Sequence, residues 1–107
     1  MKISVIIPVL NEAATIESTL NALQPMRARG HEVIVVDGGS VDSTDKLAEP
    51  LVDMVVSSES GRATQMHAGT KKASGEIFWF LHADTLAPQN ADRAILAALE
   101  LTPENSG

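Results

Sequence analysis

Four short apolar runs constrain this chain more than any other feature of its sequence. Residues 3–9, 32–36, 53–57 and 76–81 are dominated by Val, Ile and, in the last run, Phe and Trp. They show little alternation of apolar with polar positions, so they read as strands covered on both faces, as in a parallel sheet. Parallel strands need crossover connections, and the spacers between the runs are long enough to hold helices. In the first spacer Ile16, Leu20 and Leu23 recur at i, i+4 and i+7, one apolar stripe, with Asn11 as N-cap, Glu12 in the first turn, and Pro25 and Gly30 as stops. A short helix to Ala48, capped by Ser43 or Thr44 and closed by Pro50, fills the second. The third holds a helix over 62–73 with Ala63, Met66, Gly69 or Thr70, and Ala73 inward, and Gly75 as its stop. A last helix over 91–101 carries Ile95, Leu96 and Leu99. The order β-α-β-α-β-α-β-α with right-handed crossovers predicts an α/β fold, an open mainly parallel sheet with helices on both faces.

With 107 residues, this is one domain over 1–101 followed by a polar tail, 102–107, expected to fray. Only two Phe, one Trp and no Tyr are present, so Val, Ile, Leu and Ala must build the core. Fourteen acidic against eight basic residues give a formal charge of −6, which argues against a nucleic-acid partner. A phosphate-bearing ligand would need local help from a cation, a helix N-terminus or a well-placed Arg. The absence of cysteine excludes disulfides and thiolate metal sites and is consistent with a cytoplasmic location. No apolar run approaches the roughly 20 residues of a membrane span. The N-terminal ten residues, broken by Pro8 and followed by Asn11, read as a first strand and not as a signal peptide.

In open α/β sheets, ligands bind beyond the carboxyl ends of the strands, where strand order reverses. Every conspicuous polar cluster of this chain follows a strand: Asn11-Glu12, then Asp37-Gly38-Gly39-Ser40, then residues 57–62 ending in Arg62, then His82-Ala83-Asp84-Thr85. In an extended segment His82 and Asp84 point to one side and could share a divalent cation that keeps waters and takes further oxygens from a phosphate. Asn11 and Glu12 serve equally as a helix start. Adjacent glycines let a ligand approach the backbone closely, and Asp37 beside them suits an uncharged donor such as a pyrimidine N–H. Arg62 at a helix start is placed either to meet a phosphate or to form a surface ion pair. His31 and His67 read as structural, and Lys71 and Lys72 as solvated. No Walker loop, GxGxxG, GxSxG, Cys–His pair or HExxH is present, which leaves nucleophilic hydrolysis and zinc catalysis without residues.

Three blocks, SVIIPVLNEAATIESTL, VIVVDGGSVDST and GRATQMHAGTKKASGEIFWFLHADT, resemble the inverting family 2 glycosyltransferases of GT-A fold in order and spacing. The resemblance runs from Ile3 to Pro88 and implies a Rossmann-like nucleotide-sugar-binding half. It implies a nucleotide site formed by Pro8, Val9, Asn11, Glu12, Asp37, Gly38, Gly39, Ser40, Arg62 and Gln65. It also implies a metal, Mn²⁺ or Mg²⁺, held at the fourth strand end by Asp84 and His82. There the sequence departs from the usual Asp-x-Asp: an imidazole stands in the first position. The family continues for about another domain's length, with the acceptor site and the general base, so this chain is expected to supply the donor half, with no catalytic base assigned. The implied partners are a nucleotide-diphospho-sugar donor, uridine or guanosine, and an unidentified acceptor that could bring the protein to a membrane periphery. The alternative is a catalytically inactive remnant that binds nucleotide or self-associates as a homo-oligomer. A nucleotidyltransferase would show a Gly-rich loop with a basic residue after the first strand, which PVLNEA does not provide.

Overall fold

The computed structural model describes residues 1–100. Strands β1 (Ile3–Val9), β2 (Glu32–Asp37), β3 (Met54–Ser57) and β4 (Ile77–Phe80) form one sheet in the order β3-β2-β1-β4, with every pair parallel. The helices are α1 (Ile16–Ala22), α2 (Gln24–Ala28), α3 (Thr44–Ala48), α4 (Arg62–Lys72) and α5 (Ala91–Glu100). The expected helix end at Leu101 and the tail 102–107 lie outside the described residues. No helix among the described residues is long and apolar enough to cross a membrane.

The pleat of β1 distributes its side chains between two cores. Ile3, Val5, Ile7 and Val9 join Ile16, Leu20, Leu23, Met26, Val33, Val35 and Ala91 on one face, under α1, α2, α3 and α5. Ile6 faces the other way and packs with Ile34 and Val36 under Ala68 of α4 and Ala73 just past its end. The α1 stripe, Ile16, Leu20 and Leu23, is fully buried, each side chain contributing roughly 1.5–3 kcal/mol. On the opposite face α4 comes so close that a Cβ at Gly69 would lie 2.5 Å from Ile6 Cγ2. Glycine there permits a helix poor in large apolar residues to seat directly on the sheet.

Several local expectations are corrected. Asn11 is not an N-cap: its φ is +54°, and α1 starts at Ile16 after a turn in which Thr15 and Ile16 donate to the Glu12 carbonyl. Asn tolerates the left-handed conformation that turns the chain back from the strand end. Pro25 does not end the helical region but sits in the first turn of α2, where its missing N–H costs nothing. Neither Ser43 nor Thr44 caps α3 with its own side chain, since the Asp42 carboxylate accepts the Thr44 N–H at 3.1 Å. Pro50 closes α3 inside a 3-10 turn, Glu49–Leu51. On α4 the inward face carries Gln65 and Gly69, while Ala63 is exposed. The helix stops at Lys72, and Gly75 instead fits closely against Ser4, its N–H donating to Ser4 Oγ at 2.8 Å. The largest change is that, among the described residues, β4 and β3 are the edge strands and only half-buried, with Phe78 of β4 44% exposed. Hydrophobic density alone cannot tell a central strand from an edge.

Candidate functional site

Strand order runs β1, β2, β3 in one direction, and α4 then carries the chain back across the sheet to β4 on the far side of β1. The reversal therefore lies between β1 and β4. A cleft of about 320 Å³ opens at their carboxyl ends, lined by Pro8, Val9, Leu10, Glu12, Arg62, Gln65, His82, Ala83 and Asp84. The β1–β4 register pairs Ile6 with Phe80, and the Leu81 N–H donates to the Ile6 carbonyl at 3.0 Å. That register carries residues 82–84 past the last paired rung. The backbone then turns, with Thr85 N–H on the His82 carbonyl at 3.1 Å. Ala83 is buried while His82 and Asp84 stand exposed on either side of it, the alternation of an extended segment.

Gln65 organises the floor. Its side-chain amide donates to the carbonyls of Val9 and Val36, both at 2.9 Å, and its Oε1 accepts the Gly61 N–H at 3.2 Å. This buried residue thus clamps the ends of β1 and β2 to the start of α4. A Cβ on Gly38 would fall 2.8 Å from the Gln65 amide oxygen, so the clamp requires glycine there. Asp37 closes β2 and accepts the Ser40 N–H at 3.2 Å and the Ser40 hydroxyl. Gly39, at φ +103°, makes that turn.

The loop after β1 is braced on the loop after β2. Asn11 N–H donates to Ser40 Oγ at 2.8 Å, and Val41 N–H to Asn11 Oδ1 at 2.8 Å. Glu12 N–H donates to Thr44 Oγ1 at 2.9 Å and Ala13 N–H to Asp42 Oδ2 at 3.1 Å. The Thr44 hydroxyl and these backbone N–H groups hold the Asp42 carboxyl below its ordinary range. The two loops form one shelf beside the cleft, stiffened before any ligand arrives.

At the mouth, Arg62 Nη1 lies 3.1 Å from His82 Nδ1 and Nη2 lies 3.4 Å from His82 Nε2. The Asp84 carboxylate meets no protein partner among the described residues. Among the described residues, no three His, Asp or Glu side chains converge there into a ready metal cage. An exposed carboxylate on a cleft is nonetheless a fitting anchor for a hard cation that takes its other oxygens from water and phosphate.

The profile of Glycosyl transferase family 2 matches residues 4–105. The chain belongs to glycosyl transferase family 2. Within this family it is similar to the glycosyltransferase AglE of Haloferax volcanii, 36% identical over 91 residues, which span 77% of this chain and 30% of that protein. Glucosyl-3-phosphoglycerate synthase of Mycobacterium tuberculosis is 34% identical over 96 residues, 80% of this chain and 30% of the synthase. The synthase structure with Mn²⁺, UDP and glucosyl-3-phosphoglycerate superposes with a TM-score of 0.82 at 28% identity, over 95% of this chain and 40% of that one. Staphylococcus aureus TarS 1–349 with UDP-GlcNAc does so with a TM-score of 0.81 at 27% identity, over 94% and 31%. The chain thus spans about 30% of the length of the curated relatives it matches.

Against this family frame, the cleft brings together Pro8, Val9, Glu12, Arg62, Gln65, His82 and Asp84. Asn11, Asp37, Gly38, Gly39 and Ser40 form the adjoining shelf. Leu10 and Ala83 also line the cleft, and Asp42 and Thr44 brace it; residue type marks Thr44 only as a helix cap and Ala83 only as a spacer, and singles out neither Leu10 nor Asp42. Asp42 is the one with a readable signal, as an Asp two residues before a short helix start. The inward turn of Gln65 left no trace in the sequence.

Proposed function

We propose that this chain forms the donor-binding part of an inverting glycosyltransferase whose donor is a nucleoside-diphosphate sugar, with uridine diphosphate as the leaving group. The observation that carries the reading is the cleft at the strand-order reversal, which sets the guanidinium at the start of α4 across from the exposed carboxylate after β4. Of the relatives sharing this fold, one was solved with UDP and Mn²⁺ and another with UDP-GlcNAc.

Each group then has a role. Gly39, whose Cβ direction is open, leaves room for a flat base beside Asp37, whose carboxylate retains lone pairs for a pyrimidine N–H after accepting from Ser40. Arg62, with the backbone N–H groups opening the eleven-residue α4, faces the diphosphate and stabilises charge as it leaves. Asp84 would anchor a divalent cation, which when bound neutralises the diphosphate oxygens. Inversion follows from a single in-line displacement at the anomeric carbon.

Calorimetric titration with UDP and with GDP, each with and without Mn²⁺, tests the reading. Binding that strengthens with Mn²⁺ in the wild type and loses that gain in Asp84→Ala supports it. No heat with either nucleotide under either condition overturns it and leaves a chain that keeps the family fold without the donor site.

A further inference from the structure

We infer that His82 acts as a positioning residue for Arg62 and is not a ligand of the cation, an inference that rests on the donor-site reading. The geometry excludes both roles at once. A guanidinium offers donors only, and its two terminal nitrogens face the two ring nitrogens of His82 at 3.1 and 3.4 Å. A neutral imidazole has a single in-plane lone pair, on whichever nitrogen lacks the proton. Arg62 takes that lone pair, and the other nitrogen carries a hydrogen. Neither nitrogen is left for a metal while the pair stands.

The pair also answers a question that Arg62 raises by itself. Arg62 is exposed in the first turn of α4, and no carboxylate pairs with it among the described residues. A long side chain in water spreads over many rotamers, and fixing it on a ligand costs about 2 kcal/mol of entropy. His82 holds the guanidinium at the cleft from a strand end twenty residues away in sequence. Because imidazole is neutral when it accepts, it orients Arg62 without neutralising the charge that a diphosphate would meet. A carboxylate in the same position would form an ion pair with Arg62 and compete with the ligand for it. Replacing the first acidic residue of Asp-x-Asp by His therefore shifts part of the diphosphate's neutralisation from a cation to Arg62. Of the two polar residues of this strand-end motif, Asp84 is left as the ligand.

The test separates the cation from the guanidinium with two probes. Mn²⁺ affinity is read by electron paramagnetic resonance in the presence of UDP, and UDP affinity is read by calorimetry in EDTA. In EDTA, Arg62→Ala and His82→Ala are each expected to weaken UDP by about fivefold, the scale of one partly exposed charge-assisted contact. The double variant should be no weaker than Arg62→Ala alone, because both changes remove one unit. His82→Gln, which keeps an acceptor, should recover most of the loss. Mn²⁺ affinity should stay within about twofold in His82→Ala and fall by about tenfold or more in Asp84→Ala. A His82→Ala protein that loses Mn²⁺ as Asp84→Ala does, with unchanged UDP affinity in EDTA, overturns the inference and restores His82 as a ligand. Additive losses in the double variant also overturn it. A wild type that binds neither nucleotide is a different result, since that removes the donor site itself. His82 and Arg62 are both exposed, so the variants are expected to fold.

Discussion

Two clusters of the same three residue types stand at opposite ends of the sheet and have opposite fates. At the amino ends of the strands, Arg29 donates to Asp92 at 2.8 and 2.6 Å. His31 Nε2 lies 3.0 Å from the same carboxylate, and His31 Nδ1 accepts the Ile3 N–H at 3.0 Å. Asp92 is 2% exposed. The hydrogen bonds from Arg29 hold its carboxyl down to about 2 against the opposing effect of burial. At the carboxyl ends Arg62, His82 and Asp84 are all exposed, the first two touch each other, and the carboxylate faces open solvent. The first trio locks α5 onto α2 and β1, while the second holds its hydrogen-bonding capacity in reserve. Residue chemistry does not distinguish a strut from a site. What separates them is whether the polar groups are satisfied inside the protein, and here that follows strand polarity.

The comparison breaks most visibly at the buried trio. Asp92→Ala should lower stability by about 3 kcal/mol in urea titrations, because it strands the buried His31 imidazole and releases α5 from Arg29, while UDP affinity stays unchanged. A loss of nucleotide binding at constant stability would show that the two ends are not independent. Gln65→Ala should cost about 2 kcal/mol, two buried carbonyls each losing a donor, and it should also weaken UDP by loosening the cleft floor. It is the one variant expected to register in both assays.

A smaller effect lies on the acid limb. Asp92 has a folded pKa of about 2, below its ordinary 3.8, so its contribution is complete above about pH 4 and is lost as pH falls towards 2. Glu32 belongs to the same limb. Burial acts to raise its pKa, but hydrogen bonds from Ser4 and Ser74 outweigh burial and lower it below 4.5. Urea midpoints measured between pH 6 and pH 2.5 should fall less steeply in Asp92→Asn than in the wild type. The smallest stability change is expected at the open trio. Asp84→Ala should shift stability by no more than about 0.5 kcal/mol while removing the Mn²⁺-dependent part of nucleotide binding. A large destabilisation there would show that Asp84 is a strut after all.

The sequence by itself determined the order of the strands, the parallel sheet and the edge at which the polar clusters gather. Strands buried on both faces must be written as continuous β-branched runs, as in residues 5–7 and 33–36. The α1 stripe of Ile16, Leu20 and Leu23 follows from helical geometry alone. Both are local rules, with every determinant within a turn or a strand of its neighbour. The polar clusters were legible for the same reason, since each is contiguous and follows a strand. Tertiary structure decided what those side chains face. Arg29 meets Asp92 across 63 residues, Gln65 meets Val9 across 56, and Arg62 meets His82 across 20. It likewise decided that β4 is an edge and that Asn11 turns left-handed, held between Ser40 and Val41. No periodicity encodes such pairings, because each depends on where α4 and α5 land on the sheet. That landing is set by packing at Gly69 and in the α1–α2 core, and only the folded chain brings those parts together.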